Sequence, residues 1–152
     1  MSDKTPADEI EDLLVMVAEA LGLDAEVEVM EEPGQIRAVL HGEDLGLFIG
    51  RHGQTIDAVQ HLAYKVAART ITPAPKVEVD AAGYRDRRRQ ALERQADQAA
   101  GDAVRSRRPV ALDAMSATER KVVHEYLKDR EDVETYSEGT EPDRHLVVAP
   151  LG

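Results

Sequence analysis

The tetrapeptide Gly50-Arg51-His52-Gly53 sets two glycines around an arginine and a histidine, a composition suited to holding an anion. Glycine lacks a Cβ, so its backbone reaches angles closed to other residues and lets a bulky group come close. An apolar run of Leu45, Leu47, Phe48 and Ile49 leads into the turn. After it, Ile56, Val59, Ala63, Val66 and Ala67 recur at helical spacing. The pattern reads as a short helix, a glycine-framed turn and a longer helix that starts with unpaired N–H groups at the positive end of its dipole. Phosphate is the natural occupant of such a gap, met by the amide hydrogens between Ile49 and Gln54. Two glycines three apart also mark plain helix–helix turns, so the tetrapeptide by itself leaves both readings open.

Arg120 and His124 form a second pair, four residues apart and therefore side by side on one face of a helix. Taken alone, such a pair most often marks only a solvated face or a satisfied core pair. His124-Glu125 begins the H-E-x-x-H pattern of zinc proteases, but Lys128 stands where the second histidine is required. The chain has no G-x-x-x-x-G-K-S/T loop, no cysteine nucleophile and no His/Asp cluster with metal-ligand spacing. No enzymatic activity, cofactor or metal is expected.

The 152 residues suffice for one ordinary domain or two small ones. The absence of cysteine excludes disulfides and thiolate metal sites. No apolar run approaches the roughly 20 residues of a membrane span, and Met1-Ser2-Asp3-Lys4-Thr5-Pro6 lacks the basic start and apolar core of a signal peptide. A soluble, cytoplasmic protein without membrane insertion is expected. The net charge of −11 opposes nucleic-acid binding, so its distribution matters. Residues 1–35 hold 11 acids against one base, residues 36–110 hold 9 against 13, and residues 111–152 hold 10 against 5. The segment carrying the glycine turn is thus the positive one.

The elements that must position these residues follow from periodicity and punctuation. Residues 1–6 read as a frayed tail, and Ile10 to Leu21 as a helix with Ile10, Leu13, Leu14, Val17 and Leu21 on its buried stripe. Two strands, Glu26 to Met30 and Ile36 to His41, flank the turn Glu31-Glu32-Pro33-Gly34. The helix after the glycine turn runs to about Arg69, and a proline-marked linker leads to a strand over Lys76 to Asp80. Residues 81–106 read as one long helix burying Tyr84, Ala91, Leu92, Ala99, Ala103 and Val104. Arg85, Arg87, Arg88, Arg89 and Arg94 cluster in its first half and are expected to extend a basic surface. Val110-Ala111-Leu112 is a short strand, and Ser116 with Glu119 makes a capping box for a helix reaching about Asp129. Val133 to Ser137 and His145 to Ala149 close the chain as strands.

The order α-β-β-α-(GxxG)-α-β together with I-G-x-x-G-x-T-I resembles the type II KH domain, in which the GxxG loop clamps the backbone of about four nucleotides. A long helix, a strand, a helix carrying Arg-x-x-x-His and a strand pair enclosing T-Y-S-E-G-T-E-P-D-R resembles the R-three-H domain of single-stranded nucleic-acid binders. One following the other is similar to the layout of the bacterial Jag family, also called KhpB, over roughly residues 10–150. That resemblance implies an α+β fold: a type II-like KH domain (αββααβ) over residues 1–80, then a small R-three-H domain over residues 81–152.

The same resemblance implies a binder of single-stranded RNA, with single-stranded DNA left open, acting as an RNA chaperone or post-transcriptional regulator. It also implies a smaller KH protein as partner. Ile49, Gly50, Arg51, His52, Gly53, Gln54 and Ile56 would form the clamp, with Ile49 and Ile56 shaping the floor under the bases. Arg120 and His124 would present donors to phosphate or base, and Arg144 would be the third polar contact. One Phe, four Tyr and no Trp limit stacking, so backbone contacts and weak sequence preference are expected. Gly50→Asp with Gly53→Asp is expected to put negative charge into the cradle without unfolding the protein. The alternative is a protein–protein scaffold whose KH site is vestigial.

Overall fold

The computed structural model describes residues 3–152. Helix α1 spans Pro6–Ala20 and begins on a complete capping box. The Thr5 hydroxyl accepts from the Asp8 amide at 3.2 Å, and the Asp8 carboxylate accepts from the Thr5 amide at 3.1 Å. The frayed tail expected over residues 1–6 is corrected accordingly: residues 1 and 2 lie outside the described residues, while Thr5 and Pro6 are the cap and first turn of the helix. Proline suits that place because its missing N–H would be unpaired there anyway.

The chain then forms β1 (Ala25–Glu32), β2 (Gln35–Gly42), the single-turn helix α2 (Gly46–Ile49), a 3-10 turn (Arg51–Gly53), α3 (Gln54–Ala68) and β3 (Lys76–Ala81). Strands β1 and β2 pair as an antiparallel hairpin, whereas β2 and β3 are parallel, in the order β1-β2-β3. A parallel pair needs a crossover connection, and α2, the turn and α3 supply it. The crossover is what places the glycine turn just beyond the end of β2. Alternation along β2 buries Ile36, Ala38 and Leu40 together with Ile10 and Leu14 of α1, Phe48 of α2, and Ile56, Val59 and Ala63 of α3. The αββααβ order and the α+β class expected from the sequence are observed.

Helix α4 spans Tyr84–Ser106 and starts three residues later than expected. Ala82 and Gly83 take left-handed backbone angles after β3, and the buried Asp80 carboxylate accepts the amides of Ala81 (2.8 Å) and Arg85 (3.1 Å). The chain divides into two compact units, one ending at Arg85 and the next beginning at Asp86, where the sequence reading placed the division after residue 80. Arg85 belongs with the first unit because its guanidinium meets Asp57 (2.5 Å), Gln60 (2.9 Å) and the Val79 carbonyl (3.1 Å).

The second unit adds β4 (Val110–Ala111), α5 (Ala117–Leu127), β5 (Val133–Glu138) and β6 (His145–Pro150) to the remainder of α4. Its antiparallel sheet runs β4-β6-β5. Helix α4 buries Leu92, Ala96, Ala99, Ala100 and Ala103, a single stripe at helical spacing. Val104, expected inside, lies one step off that stripe and is exposed. Val123 and Leu127 of α5, Val133 of β5, and Leu146 and Val148 of β6 complete the core. Ser116 caps α5 by accepting the Glu119 amide at 3.2 Å. The Glu119 carboxylate does not return the bond; Arg88 takes both its oxygens, at 2.8 and 3.1 Å. Half of the expected capping box is therefore replaced by a bidentate ion pair.

Candidate nucleic-acid interface

The glycine turn is closed by three backbone bonds: Gly50 N–H to the Gly46 carbonyl, Gly53 N–H to the Gly50 carbonyl at 3.2 Å, and Gln54 N–H to the Arg51 carbonyl. None of these uses the amide hydrogens of Arg51 or His52. Gly50 (φ 76°, ψ 176°) holds a conformation that essentially only glycine adopts. His52 (φ 55°, ψ 25°) and Gly53 (φ 77°, ψ 14°) are both left-handed. Arg51, His52 and Gln54 are exposed, and Gly50 is half-buried.

What the glycines accommodate is the protein itself. A Cβ on Gly50 would stand 2.8 Å from Thr55 Cβ and 2.9 Å from Thr55 N, and one on Gly53 would stand 2.8 Å from Cε2 and Cζ of the Tyr84 ring. The first step of α4 thus braces the turn from beneath. On the side where a Cβ would stand, Thr55 and Tyr84 occupy the close approach that the glycines permit. Gly50→Asp with Gly53→Asp, expected to abolish most binding without unfolding, would also press both new side chains against the turn's own support.

Ile49 is half-buried, but Ile56 is fully buried in the core. Ile56 therefore supports the turn from inside and offers no surface to a base. Leu47, 64% exposed, is the apolar side chain that this segment presents to solvent. Asp57, the acid in the first turn of α3, would repel an anion at the helix start, but Arg85 neutralises it.

The expected basic surface along α4 is mostly consumed by ion pairs. Arg85 serves Asp57, Arg88 serves Glu119, and Arg89 lies 3.0 Å from Asp86. The acids that neutralise them sit one helical turn away or far off in sequence, which a count of arginines does not register.

In the second unit, Arg120, His124 and Arg144 converge on one pocket of about 450 Å³, with Lys121, Thr135 and Ser137 on its walls. The three do not play equal parts. Arg120 is 7% exposed. Its Nη1 donates to the Met115 carbonyl at 2.6 Å and the Arg144 carbonyl at 3.4 Å, and its Nη2 to Glu141 at 2.7 Å. His124 is exposed, and its Nδ1 bonds the Thr135 hydroxyl. Arg144 donates from Nη1 to the Gly139 carbonyl at 2.6 Å, which fixes its side chain over the β5–β6 loop. Lys121, which sequence spacing did not single out, is exposed at the same pocket.

A second cleft of about 630 Å³ lies at the open end of the β1–β2 hairpin, lined by Asp24, Glu26, His41, Glu43 and Asp44. Its negative charge repels a polyanion. Among the described residues no group of three or more His, Cys, Asp or Glu is placed to hold a metal, and no helix is long and apolar enough to cross a membrane.

Comparison with known proteins places both units. Residues 7–80 match the model of the KhpA/KhpB KH domain, and residues 90–150 match that of the R-three-H domain. The RNA-binding protein KhpB of Clostridium symbiosum is 33% identical over 148 residues, an alignment covering 96% of this chain and 67% of that protein. The RNA-binding protein KhpB of Bacillus subtilis is 32% identical over 138 residues, covering 90% and 66% respectively. That of Lactiplantibacillus plantarum is 36% identical over 140 residues, covering 91% and 43%. The chain thus spans from under half to about two thirds of the length of these relatives.

Proposed function

The chain belongs to the KhpB family, and we propose that it binds single-stranded RNA, gripping the sugar–phosphate backbone at the glycine turn and again at the α5 pocket. The observation that carries this reading is that the bonds closing the turn, among the described residues, leave the amide hydrogens of Arg51 and His52 unused, on two exposed residues just before α3. Backbone N–H groups at a helix start bind phosphate through hydrogen bonds and the helix dipole together. Gly50, Arg51, His52, Gly53 and Gln54 form this clamp, with Ile49 at its edge and Ile56 beneath. His124 and Arg144 offer donors at the second pocket. The matched relatives are named as RNA-binding proteins, which favours RNA as the polynucleotide.

The His52, His124 and Tyr136 rings are the few aromatic groups at these sites, so recognition is chiefly of backbone, with weak base preference. A protein that holds many single strands loosely suits a role as RNA chaperone or post-transcriptional regulator. With a net charge of −11, affinity is modest and salt-sensitive.

The test is a fluorescence-anisotropy titration of labelled single-stranded RNA at low and moderate salt, with the wild-type chain and Arg51→Glu. Saturable binding is expected in the wild type, with a log–log salt slope of about −0.7 per neutralised phosphate, and weaker binding with a shallower slope in the variant. Absence of saturable binding at low salt, or a variant indistinguishable from wild type, would overturn the reading. Unlabelled single-stranded DNA of the same sequence, added as competitor, reports on the preference for RNA.

A further inference from the structure

We infer that Arg120 does not touch the nucleic acid at the α5 pocket: it is a positioning residue that holds the β5–β6 loop, and Lys121 beside it is the cation of α5 that meets phosphate. The inference rests on the RNA-binding reading and assigns the parts within one of its two sites.

Arg120 is nearly enclosed, and three acceptors already hold its guanidinium. Two of those acceptors, Glu141 and the Arg144 carbonyl, belong to the loop between β5 and β6, and the third, the Met115 carbonyl, anchors the segment before α5. Turning this side chain outward would take the donor from the buried Met115 carbonyl and break the ion pair with Glu141, a loss that a solvated phosphate contact does not offset. Arg120 also ties the backbone of Arg144, so the side chain of Arg144 reaches the pocket only while the loop is held.

Lys121 is the next residue on α5 and lines the same pocket from the solvent side. Glu125, four residues on, is hydrogen-bonded by Lys128 at 2.7 Å, and that pairing holds its carboxyl below the ordinary range, with His124 and Lys121 adding smaller charge contributions. A compact ammonium on a flexible stem is a good point contact for a phosphate. His124 and Arg144 complete a rim of donors, alternation along β5 turns the Thr135 and Ser137 hydroxyls to the α5 side, and the exposed Tyr136 also lines the pocket. The pocket therefore offers donors suited to phosphate and sugar, with the Tyr136 and His124 rings also on its lining.

Glu141→Gln separates the two roles by sign. If Arg120 holds the loop, removing its carboxylate partner loosens the pocket, and affinity for a single-stranded RNA oligonucleotide falls by up to about fivefold, the range of a partly exposed ion pair. If Arg120 contacts phosphate, the same change frees it and deletes a repelling charge, so binding tightens. Unchanged or tighter binding overturns the inference. Lys121→Gln is expected to reduce the salt slope by about 0.7 at an unchanged thermal midpoint, and an unaltered slope overturns that half.

A third readout needs no RNA. The Asp143 amide, bonded to the Thr140 carbonyl at 2.8 Å within the loop, is expected to exchange its hydrogen faster in Glu141→Gln and in Arg120→Lys of the full chain. Unchanged exchange overturns the loop-holding role even if the protein binds no RNA at all, so failure here and failure of the RNA-binding reading are told apart.

Discussion

A methyl group at position 53 tests the brace beneath the glycine turn. Gly53 sits at φ 77°, where an L residue is disfavoured by roughly 1–2 kcal/mol. The new Cβ would lie 2.8 Å from two carbons of the Tyr84 ring, against an ordinary carbon–carbon separation of about 3.5–4.0 Å. Ring or turn must therefore retreat, and overpacking of this kind costs roughly 1–3 kcal/mol. Reduced freedom of the unfolded chain returns about 0.4–1 kcal/mol. Gly53→Ala is thus expected to destabilise the first unit by about 2–4 kcal/mol, within the roughly 5–15 kcal/mol of a typical domain, so the variant folds. Denaturant unfolding of Gly53→Ala, Tyr84→Ala and the double variant closes a cycle. Removing the ring should rescue the steric part, giving a coupling of about 1–3 kcal/mol. Costs that add, or an alanine at 53 that costs nothing, would refute the brace. The same reasoning makes Arg51, which is exposed and whose amide takes no part in closing the turn, the right place to introduce negative charge.

Thr5→Ala removes one side of the α1 capping box and should lower stability by about 1 kcal/mol in thermal unfolding; no change would restore the frayed tail. Glu119→Gln weakens the bidentate hold of Arg88 and should cost roughly 1–2 kcal/mol in the second unit. The Tyr126 phenol is held above its ordinary range chiefly by its bond to Asp97, at 2.9 Å. The folded state therefore favours the protonated phenol, and the stability this contributes is fully present below the unfolded tyrosine value and lost as pH rises through the folded one. Asp97→Asn should lower the titration midpoint of one tyrosine in ultraviolet difference spectra, and an unmoved midpoint would contradict the assignment.

What could be read from sequence was what depends on neighbours. The strand alternation of β2, the helical stripe after the turn and the Ser116 cap each lie within a short window, and the α+β order followed from them. What could not be read were partners far apart in the chain. Tyr84 lies 31 residues beyond Gly53, Glu119 lies 31 beyond Arg88, and Glu141 lies 21 beyond Arg120. The burial of Arg120 did leave a trace, since it stands three residues before Val123 and seven before Leu127, on the buried stripe of α5. Spacing to His124 pointed outward, and spacing to the apolar residues pointed inward. The inward signal prevailed because the loop carries acceptors for the guanidinium.

Whether the glycine turn grips RNA is decided by an amide NMR titration of the full chain with a short single-stranded RNA. The Arg51 and His52 amide resonances are expected to shift saturably, together with Gln54, while the Ile56 amide inside the core moves less. Saturable shifts confined to other parts of the chain, with Arg51 and His52 unmoved, would contradict the clamp.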